Sequence, residues 1–120
     1  MVKKFKEHDL PLDVFWSDLE YMDQKMIFTV SPITHGNGQL NKIMKNYEVR
    51  FVPLIDAGVC LRDNEGIKMG NDMNVFLHQP HGEGIYTAEV WPGQVHFVDF
   101  HHPNASNFWK RNLDRLYKQV

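Results

Sequence analysis

Asp18, Glu20 and Asp23 stand just behind a short, mostly apolar run at residues 12–15. Ionised carboxylates accept hydrogen bonds and do not donate, so a group of them can take the paired donors of adjacent sugar hydroxyls. Crowding also raises the pKa of one member of such a pair, which suits it to acid chemistry. The same side chains have a plainer use, capping the loop that follows or pairing with Lys25. An apolar run that closes on an acid recurs downstream: residues 49–55 lead into Asp56, and residues 96–100 contain Asp99. In β/α proteins the carboxyl ends of parallel strands are where ligands are met, so acids at those points are the first candidates for a binding site. Asp56 is followed by Ala57 and Gly58, small residues that let a ligand approach the backbone. A buried aspartate has to be paired or hydrogen-bonded, which makes Asp56 either a site residue or a loop organiser. Trp91, with Pro92 and Gly93 behind it, sets an aromatic plane on a rigid turn. That shape suits stacking on the apolar face of a sugar ring, or ordinary core packing.

Other chemistry finds little support. Among seven histidines, His78 and His81 are three apart and His101 and His102 adjacent. Neither pair has the close-set third and fourth ligands of a zinc site, and neighbouring histidines on a strand would point apart, so no metal is expected. Cys60 is the only cysteine, which excludes an internal disulfide and a multi-cysteine metal site and reads as a small core residue. There is no phosphate-cradling glycine loop and no G-x-S-x-G elbow, and no cofactor is expected.

The elements that must position these residues follow from periodicity. Residues 5–8 read as the end of a polar helix, broken at Asp9 before a strand over residues 10–16. In it, Leu12, Val14 and Trp16 face one way and Asp13 and Phe15 the other, so both faces are largely apolar and the strand should be covered on both sides. Pro32, Gly36 and Gly38 punctuate a loop. Leu40, Ile43, Met44 and Tyr47 recur at helical spacing with Lys42, Lys45 and Asn46 opposite, and residues 49–55 form a second, parallel strand, giving a βαβ unit with the usual right-handed crossover. Pro53 is the weak point, because proline removes a ladder donor. Residues 57–93 are glycine-punctuated, with residues 73–77 and 85–91 pairing antiparallel across a turn at residues 80–84. A last helix starts near Pro103, with Ala105, Phe108, Trp109, Leu113, Leu116, Tyr117 and Val120 as its apolar stripe. Arg115 and Lys118 fall in its last turns, where positive charge suits the macrodipole.

A chain of 120 residues is one domain at most. Its 42% hydrophobic, 23% charged and 12% aromatic residues are those of a folded protein with a water-facing surface. The formal charge is −2, with cations divided between Lys3, Lys4, Lys6 and Lys110, Arg111, Arg115, Lys118. No basic stripe points to nucleic acid. The first residues lack an apolar stretch of signal-peptide length, and no run approaches the roughly 20 apolar residues of a membrane span, so no membrane is expected as a partner.

Four motifs, in order, resemble the catalytic barrel of glycoside hydrolase family 31, the α-glucosidase family. Leu10, Pro11, Leu12, Asp13 and Val14 leading to Trp16, Asp18, Tyr21, Met22, Asp23, Phe28 and Thr29 are similar to its second-strand signature. Residues 51–59 resemble its third-strand segment, residues 90–93 its Val-Trp-Pro-Gly turn, and Phe97, Asp99, Phe100, Pro103, Ala105 and Trp109 the entry to the next helix. The resemblance implies an α/β fold, a partial TIM barrel of about two β/α units with an elaborated β-rich loop after the second strand. All 120 residues would be a single fragment of the catalytic (β/α)8 domain: a β/α unit and next strand at residues 5–56, an inserted loop region at 57–102 and a helix at 103–120.

By the same resemblance Asp18 would hydrogen-bond hydroxyls of a terminal glucose, Leu54, Asp56 and Trp91 would line that pocket, and Asp99 would support the loop. The family pattern is left at Glu20, commonly Asp, at Val98, commonly Pro, and at His101 and His102, commonly Thr and Asn. Family members cleave α-glycosides with retention, using one aspartate as nucleophile and another as acid. The nucleophile belongs to a Trp-x-Asp-Met-Asn-Glu-Pro type motif on the next barrel strand, a motif that does not occur in these 120 residues. The expectation is therefore a segment of a retaining α-glucosidase that contributes sugar contacts and is inactive by itself. The alternative is a non-catalytic interaction subunit derived from that family. The implied partners are an α-glucoside or glucose-containing oligosaccharide and the remaining barrel segment or other protein chains.

Overall fold

A computed structural model describes residues 1–35 and 38–120; Gly36, read as loop punctuation, lies outside them. Helix α1 spans Val2–Glu7. Its end is sealed by the Leu10 amide, which donates to Phe5 carbonyl oxygen at 2.8 Å, while Asp9 takes a left-handed φ of 55°. With the Leu10 amide used there and Pro11 carrying no donor, strand β1 covers only Val14–Ser17, shorter than residues 10–16. Two turns of 3-10 helix follow, Leu19–Tyr21 and Asp23–Lys25. Helix α2, Gln39–Tyr47, closes on Glu48 in the left-handed region and leads into strand β2, Arg50–Pro53.

β1 and β2 pair in parallel, with Val14 opposite Arg50, Phe15 opposite Phe51, Trp16 opposite Val52 and Ser17 opposite Pro53. The amides of Arg50 and Leu54 donate to Asp13 and Ser17 carbonyls, both at 2.9 Å. Even-numbered residues of β2 therefore face β1, and Pro53 falls on the outer edge, where a missing N–H breaks no bond within this sheet. The expected cover on both faces of the first strand is not observed. Trp16 is 57% exposed, and Val14 and Val52 are exposed beside it. The opposite face, led by Phe51, packs toward the core.

After β2, strand β3 (Gly58–Cys60), helix α3 (Asn64–Met73), strands β4 (Thr87–Val90) and β5 (Gly93–Phe97) and helix α4 (Ala105–Tyr117) complete the described elements. The three strands form an antiparallel sheet in the order β3-β5-β4. The pairing expected of residues 73–77 with 85–91 shrinks to one bridge, His78 to Ile85, around the turn at residues 80–84. The principal partner of β4 is β5, joined to it through Trp91 and Pro92. Met73 ends α3, which the glycine-rich pattern conceals. Both Gly66 and Gly70 are buried, and a Cβ on Gly70 would run into the Phe76 ring, so glycine here permits close packing.

The core gathers Tyr21, Ile27, Phe28, Val59, Val75, Phe76 and Phe108, with Phe28 edge-on to Trp109 at 4.9 Å and Phe76 edge-on to Phe108 at 6.0 Å. α4 begins at Ala105, two residues later than Pro103 suggests. Ala105, Phe108 and Leu116 of its stripe are buried, whereas Leu113 and Tyr117 are exposed and border an apolar cleft of about 630 Å³ against α2 and β2. Arg115 does more than suit a helix terminus: it forks onto Asp63, the N-cap of α3, with Nη1 3.0 Å from Oδ1. The whole measures 58 × 25 × 23 Å with a radius of gyration of 16.8 Å. A compact chain of this length would have about 14 Å, so the fold is drawn out and open. No helix among the described residues is long and apolar enough to cross a membrane.

Candidate functional site

Where β1 stops, Asp18 turns the chain: its Oδ1 accepts from the Leu19 amide at 2.8 Å and caps the 3-10 turn. Because the strand ends at Ser17, Asp18 and Glu20 do not share a strand face as extension of β1 would require. They meet instead across a cleft of about 410 Å³, lined by Asp18, Leu19, Glu20, Met22, Gln24, Lys25 and Trp91. Asp18 and Trp91, 73 residues apart in sequence, thus face one space, a carboxylate on one wall and an indole on the other. This combination can accept from hydroxyls and stack on an apolar ring face.

Trp91 is not core. It is 68% exposed at the tip of the β4–β5 hairpin, where Val90 is paired with Gly93 and the glycine takes φ 100°. Trp91 and Pro92 form the turn between the two strands, and the indole projects from it into solvent. Among the described residues Lys25 forms no ion pair with the acids of its loop; its ammonium lies over the Trp91 ring, 5.3 Å from the centroid. Gln24 and Lys25 both occupy the left-handed region, at φ 48° and 63°. Non-glycine residues there cost of order 1 kcal/mol each, and such strain gathers where surroundings hold it.

Leu54 and Asp56 leave β2 at the same end of the parallel pair as Asp18 leaves β1, but neither lines the cleft with Trp91. Leu54 packs on the core and its carbonyl accepts from the Tyr21 hydroxyl at 2.7 Å. Asp56 is half-buried, and its Oδ1 accepts from the Ala57 amide at 2.7 Å. Asp23 stands in the second 3-10 turn, apart from the cleft lining. Asp99 follows an antiparallel strand, not a parallel one, and accepts from the His101 amide at 2.9 Å within its turn. His101 and His102 lie in that turn, not on a strand. Among the described residues no three His, Cys, Asp or Glu side chains converge.

Tyr21 joins the two strand ends. Its ring is fully buried, edge-on to Phe51 at 5.6 Å, and burial pushes its hydroxyl up to about 12 from 10. A raised pKa means the folded state holds the proton more tightly, so this stability is complete below about pH 10 and is lost as the pH climbs through about 12. The size is about 2–3 kcal/mol. Denaturant midpoints followed across this window are expected to fall for the native chain and to fall less for Tyr21→Phe; identical alkaline profiles would count against the assignment.

Comparison with known proteins identifies the family. The model of the glycosyl hydrolases family 31 TIM-barrel domain matches residues 1–120. Glucoamylase 1 of Candida albicans is 31% identical over 100% of the chain, which covers 14% of that protein. Lysosomal acid alpha-glucosidase of Tetrahymena pyriformis is 34% identical over 95% of the chain, which covers 13% of it. Among solved structures, the glucosidase II alpha subunit with alpha3-Glc2 bound superimposes with a TM-score of 0.84 at 25% identity, over 99% of this chain and 13% of that one. The described strands form no closed barrel, as suits a chain that spans 13 to 14% of these relatives. Over its whole length the chain belongs to glycosyl hydrolases family 31, as a portion of that family's TIM-barrel domain.

Proposed function

We propose that these residues form part of the glucose-binding wall of a retaining α-glucosidase-type barrel, a role in carbohydrate metabolism. Asp18, Leu54, Asp56 and Trp91 are its contacts, and the nucleophile and acid come from polypeptide outside these 120 residues. The observation that carries the reading is the shared cleft, where a carboxylate placed by the end of β1 faces an exposed indole. Leu54 and Asp56 emerge from the adjacent parallel strand at the same end, where barrels meet their substrates. The named relatives are a glucoamylase and an α-glucosidase, and the glucosidase II subunit carries alpha3-Glc2. Asp99 supports the turn behind β5 and is assigned no sugar contact.

The chain alone is expected to leave a chromogenic α-glucoside intact, with hydrolysis appearing when the remaining barrel is supplied. Robust hydrolysis by the chain alone would overturn the proposal. A second reading, a non-catalytic subunit held in a larger assembly, draws on the exposed Val14, Trp16 and Val52 beside the open edge of β2. Solution mass separates the two: a stable complex whose partner lends barrel strands favours the split enzyme, and a soluble monomer weakens the subunit.

A further inference from the structure

We infer that Lys25 and Arg62 are positioning residues that together fix the plane of the Trp91 indole. An indole that is 68% exposed has little packing to select its rotamer, so its orientation has to come from specific contacts. Lys25 supplies one, with its ammonium 5.3 Å from the ring centroid. Arg62 supplies the other from beneath the turn. Its Nη2 donates to the Pro92 carbonyl at 2.8 Å, and its Nη1 donates to Oε1 of Gln24, the residue before Lys25. The planar fork therefore ties the turn that carries the indole to the loop that carries its cation, 38 residues away in sequence from Gln24. The Cys60 thiol also approaches the Pro92 carbonyl, at 3.7 Å, and anchors the same turn to β3. One wall of the cleft is in this way held to the other by two cations, neither of which lies at a strand end.

The consequence for sugar binding rests on the pocket reading above, whereas the clamp itself is tested without a sugar. In a nitrogen-15-labelled chain the three tryptophans give three indole N–H resonances, and Trp91→Phe identifies the relevant one. Both Lys25 and Arg62 are exposed, so their replacement leaves the core intact. Lys25→Met and Arg62→Met are each expected to move the Trp91 resonance while those of Trp16 and Trp109 stay in place. Arg62→Lys is expected to behave as Arg62→Met, because one ammonium does not span both acceptors. A Trp91 resonance unmoved in both methionine variants overturns the inference, and so does equal movement of all three. In the assembled barrel, Lys25→Met is expected to raise KM for an α-glucoside by about two- to fivefold with kcat little changed. A moved resonance with an unchanged KM upholds the clamp and counts against the sugar reading.

Discussion

Alanine in place of Asp63 is expected to remove about 3–5 kcal/mol of stability, a large part of what a domain of this size possesses. The Asp63 and Arg115 side chains are only 10% and 15% exposed, so deleting the carboxylate leaves the guanidinium little water and one remaining partner, the exposed Glu65 at 3.5 Å. The same side chain caps α3 through the Gly66 amide at 3.1 Å, and the loss of a cap adds about 1 kcal/mol. Because Phe76 packs between Gly70 of α3 and Phe108 of α4, the damage should appear as loss of cooperative unfolding and not as local fraying. Asp63→Asn keeps an acceptor for the cap and should recover that smaller share. The double replacement Asp63→Leu with Arg115→Met, which leaves no buried charge, should recover more. Denaturant unfolding followed by circular dichroism measures all three, and a loss below about 1 kcal/mol for Asp63→Ala would show the pair to be solvated and dispensable.

Asp18→Asn is expected to leave the fold intact while it disables sugar contact. The asparagine carbonyl can still accept from the Leu19 amide, so the 3-10 turn and the entrance to the cleft should persist. What disappears is a charged acceptor for hydroxyls, worth about 1.5–3 kcal/mol for each hydrogen bond. In the assembled barrel, kcat/KM for an α-glucoside should therefore fall by about 10- to 150-fold for each sugar hydroxyl deprived of its acceptor, with the unfolding midpoint unchanged. Undiminished kcat/KM would remove Asp18 from the site, and a lowered midpoint would assign it to capping alone.

What is legible in the sequence has strong local signals. The parallel pair of β1 and β2 joined by α2 is visible as two apolar runs flanking one helical stripe, and the stripe of α4 marks the final helix within two residues of its start. The candidate cleft is legible in part, where residue type marks its lining, a carboxylate at a strand end and an indole before proline. Helix α3 is hidden because Gly66 and Gly70 weaken its local propensity; Gly66 makes room for the capping Asp63 carboxylate and Val59, and Gly70 for the Phe76 ring, a packing demand that no local signal announces. The cap signals are nevertheless present, Asp63 ahead of the helix and Asn74 in the left-handed region behind it. Arg115 is sufficiently explained, on local grounds, by its place near a helix end, yet its partner lies 52 residues earlier. Lys25 has only neighbouring acids as its local candidates, since nothing in its own segment indicates that a hairpin tip 66 residues further on comes beneath its ammonium. Register and tertiary neighbours decide these cases, and neither is written in a short window of residues.

Pro53 carries a consequence for encounters between molecules. Phe51, Pro53 and Ile55 direct their backbones away from β1, so a strand that docks along that border finds amide hydrogens at the first and third of these positions and none at the middle one. Two copies meeting border to border would each leave a carbonyl unanswered, which disfavours fibre-like stacking of like chains. A neighbour that presents no acceptor opposite Pro53 suffers no such handicap.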